Sequence, residues 1–204
     1  AIKRINNGFI ERQQRKYPEA RLRLRTGVYK VEKDCDGASF AIDAANYARR
    51  QIQDNSPETV CVYDKTMADL QNMENEIAIG LDKAIKNKEF KIYLQPRFSL
   101  TTGKIVGAES LVRWQREDGT ILPPDSFIPV YEKNGRIIDL DFYMFEETVK
   151  LLANWKEQGI LQRLISINAS ALHAQNSDTV HRYTTILEKY GVDPALIELE
   201  LTET

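Results

Sequence analysis

Leu164-Ile165-Ser166-Ile167, then Thr179 to Tyr190 closed by Gly191, then Leu196 to Leu201, is the stretch that decides the fold class. The outer two segments read as strands, and the middle one as a helix that stops at its glycine. Upstream, Ile138 to Gln158 reads as a longer helix, with Leu140, Met144, Val149, Leu151, Leu152 and Trp155 at its apolar positions. Before it, Pro123-Pro124-Asp125 punctuates the chain ahead of a short helix through Glu132. Lys91–Leu100 and Lys104–Trp114 are β-rich and joined by Thr101-Thr102-Gly103, the pattern of a hairpin. Strand, helix, strand, helix, strand at this spacing predicts an α/β fold with parallel strands.

The first third has another rhythm. Ile2, Ile5 and Phe9 recur at helical spacing until Pro18 breaks the run. Arg21-Leu22-Arg23-Leu24-Arg25 alternates strictly, which predicts a strand with one wet, arginine-bearing face, and Gly27 lies just beyond it. Phe40, Ile42, Ala45, Ala48 and Ile52 mark a second amphipathic helix, and Val60 to Tyr63 a short strand. Asp64-Lys65-Thr66 then opens a helical run with Leu70, Met73, Ile77, Leu81 and Ile85 on one face, which we read as a connecting helix.

Composition narrows the function classes. The 204 residues are 42% hydrophobic and 28% charged, enough apolar matter for a packed core. With 28 basic and 30 acidic side chains the net charge is -2, which argues against a general nucleic-acid or membrane-surface binder. The charge is uneven: residues 1–64 hold 12 Lys/Arg against 9 Asp/Glu, and residues 65–204 hold 16 against 21. No apolar run approaches the roughly 18–20 residues of a membrane span. The N-terminus lacks the apolar region of a secretory signal, so a cytoplasmic location is expected. The first residue is Ala, as in a piece of a longer chain. Cys35 and Cys61 lie far apart with no CxxC and read as two reduced thiols, neither a zinc site nor a disulfide framework.

Three strands of the second part carry or end in an oxygen donor: Glu109, Asn168 and Glu200. Loops at the carboxyl ends of parallel strands converge on one mouth, and donors without His or Cys suit a hard cation such as Mg²⁺ or Mn²⁺. On pattern alone, the same residues also suit polar strand ends facing solvent. Arg113 beside Glu109 suits a phosphate held bidentately, and equally a structural ion pair. His173 and His181 are the only histidines, so a His-based triad or a zinc hydrolase site is hard to build here, and His181 reads as a surface or boundary residue.

Tyr93-Leu94-Gln95-Pro96, Gly107-Ala108-Glu109-Ser110-Leu111-Val112-Arg113-Trp114, Phe127-Ile128-Pro129, Asn168-Ala169-Ser170 and Glu200-Leu201-Thr202-Glu203 resemble the successive signatures of EAL domains, bacterial phosphodiesterases that linearise cyclic di-GMP. The eponymous triplet reads Glu109-Ser110-Leu111, with Ser for Ala. The first segment resembles the C-terminal part of a GGDEF (diguanylate cyclase-type) domain. There Arg25-Thr26-Gly27-Val28 stands for a Ser-x-Gly strand and Asp43 to Arg49 for an Asp-x-Ala-Met-Tyr-x-Ala-Lys helix, with Asn for Met and Arg for Lys.

The resemblance implies the first half of an EAL-type (β/α)₈ TIM-like barrel over residues 89–204. It is preceded by a connecting helix over 65–88 and by a partial α+β GGDEF domain, ferredoxin-like or palm-like, over 1–64. It further implies Glu109, Asn168 and Glu200 as ligands of Mg²⁺ or Mn²⁺, Gln95 and Arg113 as contacts to cyclic di-GMP, and Glu203 as a loop-steadying residue. The expected reaction is hydrolysis of cyclic di-GMP to linear pGpG. A homodimer through the EAL domain is expected, with no nucleic-acid polymer and no membrane contact by this segment. A complete barrel takes about 250 residues. The family's Asp-Asp pair, catalytic Lys and later Glu would lie beyond Thr204, so this segment alone is expected to be inert. The alternative is an inactive EAL receptor or scaffold that binds cyclic di-GMP or a protein. A generic nucleotide-binding module lacks support, since neither GxGxxG nor GxxxxGK[ST] occurs.

Overall fold

A computed structural model describes residues 1–32, 37–175 and 177–202. The chain divides into two compact units, Ala1–Asn75 and Glu76–Thr204.

The first unit contains α1 (Ile2–Lys16), β1 (Thr26–Val28), α2 (Ala38–Arg50), β2 (Val60–Val62) and the start of α3 (Lys65–Lys86). β1 and β2 pair in parallel, with Gly27 opposite Cys61. Helix α2 lies so close over β1 that a Cβ on Gly27 would stand 1.7 Å from the Ala45 carbonyl oxygen, so only glycine fits inside this strand. Ala44, Tyr47, Ala48 and Ile52 are buried, as is Asn6, whose amide donates to Thr26 Oγ1 at 2.8 Å.

One expectation fails in this unit. Arg21–Arg25 is not a strand; β1 begins only at Thr26. The arginines clamp a turn instead: the Arg23 guanidinium donates to the Ser56 carbonyl, and Arg25 Nη1 to the Ile52 carbonyl at 3.1 Å, with Asp54 at 2.8 Å. Side chains occupied in this way alternate without any backbone ladder beside them. Helix α1 forms where the spacing of Ile2, Ile5 and Phe9 places it, with Ile5 and Phe9 exposed and Asn6 buried. Ile42 and Leu70 are likewise exposed. Cys35 lies outside the described residues.

The second unit contains the rest of α3, β3 (Phe90–Phe98), β4 (Ile105–Gln115), β5 (Ile121–Leu122), α4 (Ile128–Asn134), α5 (Ile137–Glu157), β6 (Leu164–Ser170), α6 (Thr179–Tyr190) and β7 (Ile197–Thr202). The sheet order is β3-β4-β6-β7, with β5 paired to the end of β4. The expected hairpin is present: β3 and β4 are antiparallel, and Gly103 takes φ +64° in the turn. β4, β6 and β7 are mutually parallel, joined through α5 and α6. Helix α6 ends as its sequence requires, with Gly191 in the left-handed conformation at φ 63°.

Alternate residues of the sheet face the helices. Ile165 and Ile167 of β6 pack against Phe142, Phe145, Val149 and Leu152 of α5 and against Tyr183 and Leu187 of α6. A second cluster joins Phe90, Trp114, Phe127 and Tyr131, with ring centroids 5.1–6.3 Å apart. Its polar tips are satisfied: Trp114 Nε1 donates to Glu89 Oε2 at 2.8 Å, and the Tyr131 hydroxyl to the Ile77 carbonyl at 3.0 Å.

Candidate active site

The register that points Ala108, Ser110, Ile165 and Ile167 at the helices turns the intervening residues to the opposite face. Lys91, Tyr93, Gln95 and Arg97 of β3 share that face with Gly107, Glu109, Leu111 and Arg113 of β4. Ser166, Asn168 and Ser170 of β6 and Glu198, Glu200 and Thr202 of β7 complete it. Gln95 is paired with Glu109, Glu109 with Ser166, and Ser166 with Glu198, so one row crosses all four strands.

Glu109 and Asn168 meet directly, the Asn168 amide donating to Glu109 Oε1 at 2.7 Å. Glu200 is the register partner of Asn168 on β7, and its Oε1 lies 3.4 Å from Arg97 Nη1. None of the three stands at a strand end. β4 continues six residues past Glu109, and β6 and β7 remain paired for two more residues, through Ser170 and Thr202. The expectation of strand-end donors is corrected accordingly, because the ladder pairing persists beyond them. Gln95 is exposed on the same row as Glu109. Arg113 Nη1 donates to the Val112 carbonyl at 2.8 Å, and its guanidinium lies 5.7 Å from the Tyr93 ring centroid. Glu203 lies outside the described residues.

The carboxyl end of β6 is fastened from behind. Asp141 of α5 accepts the Ser170 backbone N–H at 2.9 Å and pairs with His173 Nε2 at 3.0 Å, both side chains being largely buried. A cavity of about 370 Å³ opens here between sheet and helices, with Leu111, Asn168, Thr202, Ile128, Asp141 and Glu132 among its walls. Burial, and then the charge of Asp141, push the Glu132 carboxyl above the ordinary glutamate range. Burial likewise raises the Tyr183 hydroxyl, which lies 3.4 Å from His173 Nε2.

Two carboxylates and an amide oxygen form a hard donor set, the chemistry that suits Mg²⁺ or Mn²⁺. Ser166 Oγ, fully buried in register between Glu109 and Glu198, has no hydrogen-bond partner among the described residues. The floor of this face thus holds a polar atom that the protein leaves unsatisfied. These residues fit a hydrated divalent ion. Among the described residues no three His, Cys, Asp or Glu side chains are arranged to hold a metal, so the Asn168 amide would be an essential third donor.

The EAL domain family matches residues 80–204. The chain belongs to the EAL family. It is 32% identical over 162 residues to "Signaling protein YkoW" of Bacillus subtilis (strain 168), covering 79% of this chain and 20% of that protein. It is 37% identical over 123 residues to "Probable cyclic di-GMP phosphodiesterase PdeB" of Escherichia coli (strain K12), covering 60% and 24%. The solved structure described as "PaMucR Phosphodiesterase, c-di-GMP complex" superposes with a TM-score of 0.58 at 25% identity, covering 63% of this chain and 52% of that one. The chain therefore spans about a fifth to a quarter of the length of these curated relatives.

Two charged residues beside these positions, Arg97 and Asp141, lie outside the motifs. Arg97, two residues after Gln95, carries no local sequence signal of its contact to Glu198 of β7. Asp141 could have been found, since it is a carboxylate inside the apolar run Leu140-Asp141-Phe142 of a buried helix. No helix of the described residues is long and apolar enough to cross a membrane.

Proposed function

We propose that this chain supplies one wall of a divalent-metal site that hydrolyses cyclic di-GMP to linear pGpG within a larger bacterial signalling protein. The observation that carries the reading is the Glu109–Asn168 contact, with Glu200 in register beside Asn168 on one polar face. The family match and the activities named for its relatives support it.

In this reading Glu109, Asn168 and Glu200 hold Mg²⁺ or Mn²⁺. The ion, when bound, lowers the pKa of a water and offsets charge on the phosphoryl oxygens. Asn168 donates to Glu109 through Nδ2, which fixes the carboxylate and leaves the amide oxygen as a ligand. Gln95, on the same row, offers an amide to the bound dinucleotide, and Arg113 offers a guanidinium after leaving the Val112 carbonyl. Glu203 follows β7 and would steady the loop over the site. The bond from the Ser170 N–H to Asp141 fastens the end of β6, beyond Asn168, to helix α5.

We read residues 1–64 as the C-terminal part of a GGDEF-like domain and 65–88 as a connecting helix. The close fit of α2 over Gly27 supports a dedicated Gly in that strand. The deciding experiment is Mg²⁺- or Mn²⁺-dependent conversion of cyclic di-GMP to pGpG by the full-length protein, with Glu109→Ala alongside. Turnover that Glu109→Ala reduces at least a hundredfold is the expected result. Tight binding without turnover would instead establish the receptor or scaffold reading.

A further inference from the structure

Arg97 is the cation on the carboxylate-bearing face whose guanidinium joins two of those carboxylates. It leaves β3 opposite Gly107 of β4, and Gly107 in turn is paired with Leu164 of β6. The two strands approach so closely there that a Cβ on Gly107 would stand 2.5 Å from the Leu164 carbonyl oxygen. The row therefore has a gap at β4, and a long side chain from β3 can lie across it. Arg97 does so and reaches β7, two strands beyond β4: Nη1 donates to Glu198 Oε2 at 2.9 Å and lies 3.4 Å from Glu200 Oε1. The hydrogen bond that the guanidinium donates to Glu198 comes first in favouring its charge, and Glu200 and Glu109 add to it. Three carboxylates on one face, Glu109 of β4 and Glu198 and Glu200 of β7, repel one another, and a single guanidinium among them lowers that cost.

We infer that Arg97 is a built-in counter-cation of this row: anchored by Glu198, it neutralises Glu200 when no divalent ion is bound and competes with the ion for that carboxylate. The inference rests on the metal reading of Glu109, Asn168 and Glu200 given above. It assigns Arg97 a positioning role that sets the cation threshold of the site. The shorter contact is to Glu198, so the guanidinium can stay anchored while Glu200 turns to a metal. The fixed positive charge it leaves nearby weakens cation binding.

The two anchors give substitutions of opposite sign. Arg97→Met keeps the length and removes the charge, and tightens Mn²⁺ binding by about tenfold. Glu198→Gln removes the anchor, transfers the guanidinium to Glu200 and weakens Mn²⁺ binding by a similar factor. Arg97→Lys keeps the charge and stays near the wild-type affinity. The measurement is a titration of the full chain with Mn²⁺ alone, following the free ion by electron paramagnetic resonance, with Glu109→Ala as reference. A merely structural arginine would give weaker binding in both Arg97→Met and Glu198→Gln. Wild-type binding that Arg97→Met leaves unchanged or weakens overturns the counter-cation role and spares the metal reading. Should Arg97→Met fail to fold, Glu198→Gln decides, and unchanged or tighter binding there overturns the role. No wild-type Mn²⁺ binding that depends on Glu109 overturns the metal reading itself.

Discussion

The two faces of the β3-β4-β6-β7 sheet are built from alternate residues of the same strands, yet they obey opposite rules. On the helix side, Ile165 and Ile167 disappear under Phe145, Val149 and Leu152, and the buried polar pair, Ser110 and Thr148, is hydrogen-bonded at 3.2 Å. On the other side lie Glu109, Glu198 and Glu200, one bridging arginine, and a buried Ser166 hydroxyl without a partner among the described residues. The first face lowers the free energy of the fold, while the second gathers carboxylates around one arginine, an arrangement that in the proposed reading serves a divalent ion. Substitutions should therefore separate cleanly, with stability following one face and cation binding the other.

The largest effect belongs to the helix side. Phe145→Ala, which empties a fully buried ring position between α5 and α6, is expected to cost about 3–5 kcal/mol in denaturant unfolding. A cost below about 1 kcal/mol would mean that the face is far less tightly packed than its burial indicates. Gly107→Ala tests the seam between the faces. Its new methyl meets a backbone carbonyl and not a flexible side chain, so β4 and β6 must separate, at about 1–3 kcal/mol. The same change obstructs the path of Arg97, so Mn²⁺ affinity should shift along with stability.

Glu200→Gln probes the polar face alone. We expect unfolding free energy to change by less than about 1 kcal/mol, because the pair it breaks is half-exposed. Mn²⁺ binding should nevertheless fall at least tenfold. Parallel losses of stability and binding would erase the distinction between the faces.

The smallest effect concerns the rim of the helical cover, where Glu146 of α5 accepts from Lys189 at 2.8 Å and from the Tyr190 hydroxyl at 2.7 Å. The Lys189 hydrogen bond, reinforced by Tyr190 and Lys150, holds the Glu146 carboxyl below the ordinary glutamate range. A lowered folded-state value stabilises the protein above the unfolded glutamate pKa of about 4.3, and that share is lost as pH falls through the folded value. Glu146→Gln should flatten this acid limb by no more than about 1 kcal/mol in pH-dependent unfolding, with Mn²⁺ binding at neutral pH unchanged.

The elements that the residues announce are those whose cause is local. Helix α6 with its Gly191 stop, the β3–β4 hairpin and the long α5 each follow from periodicity and turn chemistry within a few residues. Where the cause lies at a distance, the reading fails. The alternation of Arg21–Arg25 comes from a turn 30 residues away that accepts the guanidinium groups, and nothing inside the pentapeptide tells this from a strand. The spacing of Ile5 and Phe9 marks α1 as a helix and says nothing of Asn6, the residue its neighbours bury. His173 reads as a loop residue until Asp141, 32 positions earlier, is seen to pair with it.

By itself, the sequence determined the α/β class, the order of the elements in the second unit, and the family to which that unit belongs. Each of these is written in short-range periodicity or in motifs of adjacent residues. Only the tertiary structure decided that Glu109 touches Asn168, that these residues and Glu200 sit within their strands and not at the ends, and that Arg97 crosses a glycine gap to Glu198 and Glu200. The physical reason is register: pairing of four strands across about 100 residues of chain selects which side chains share a row, and no local pattern encodes that choice.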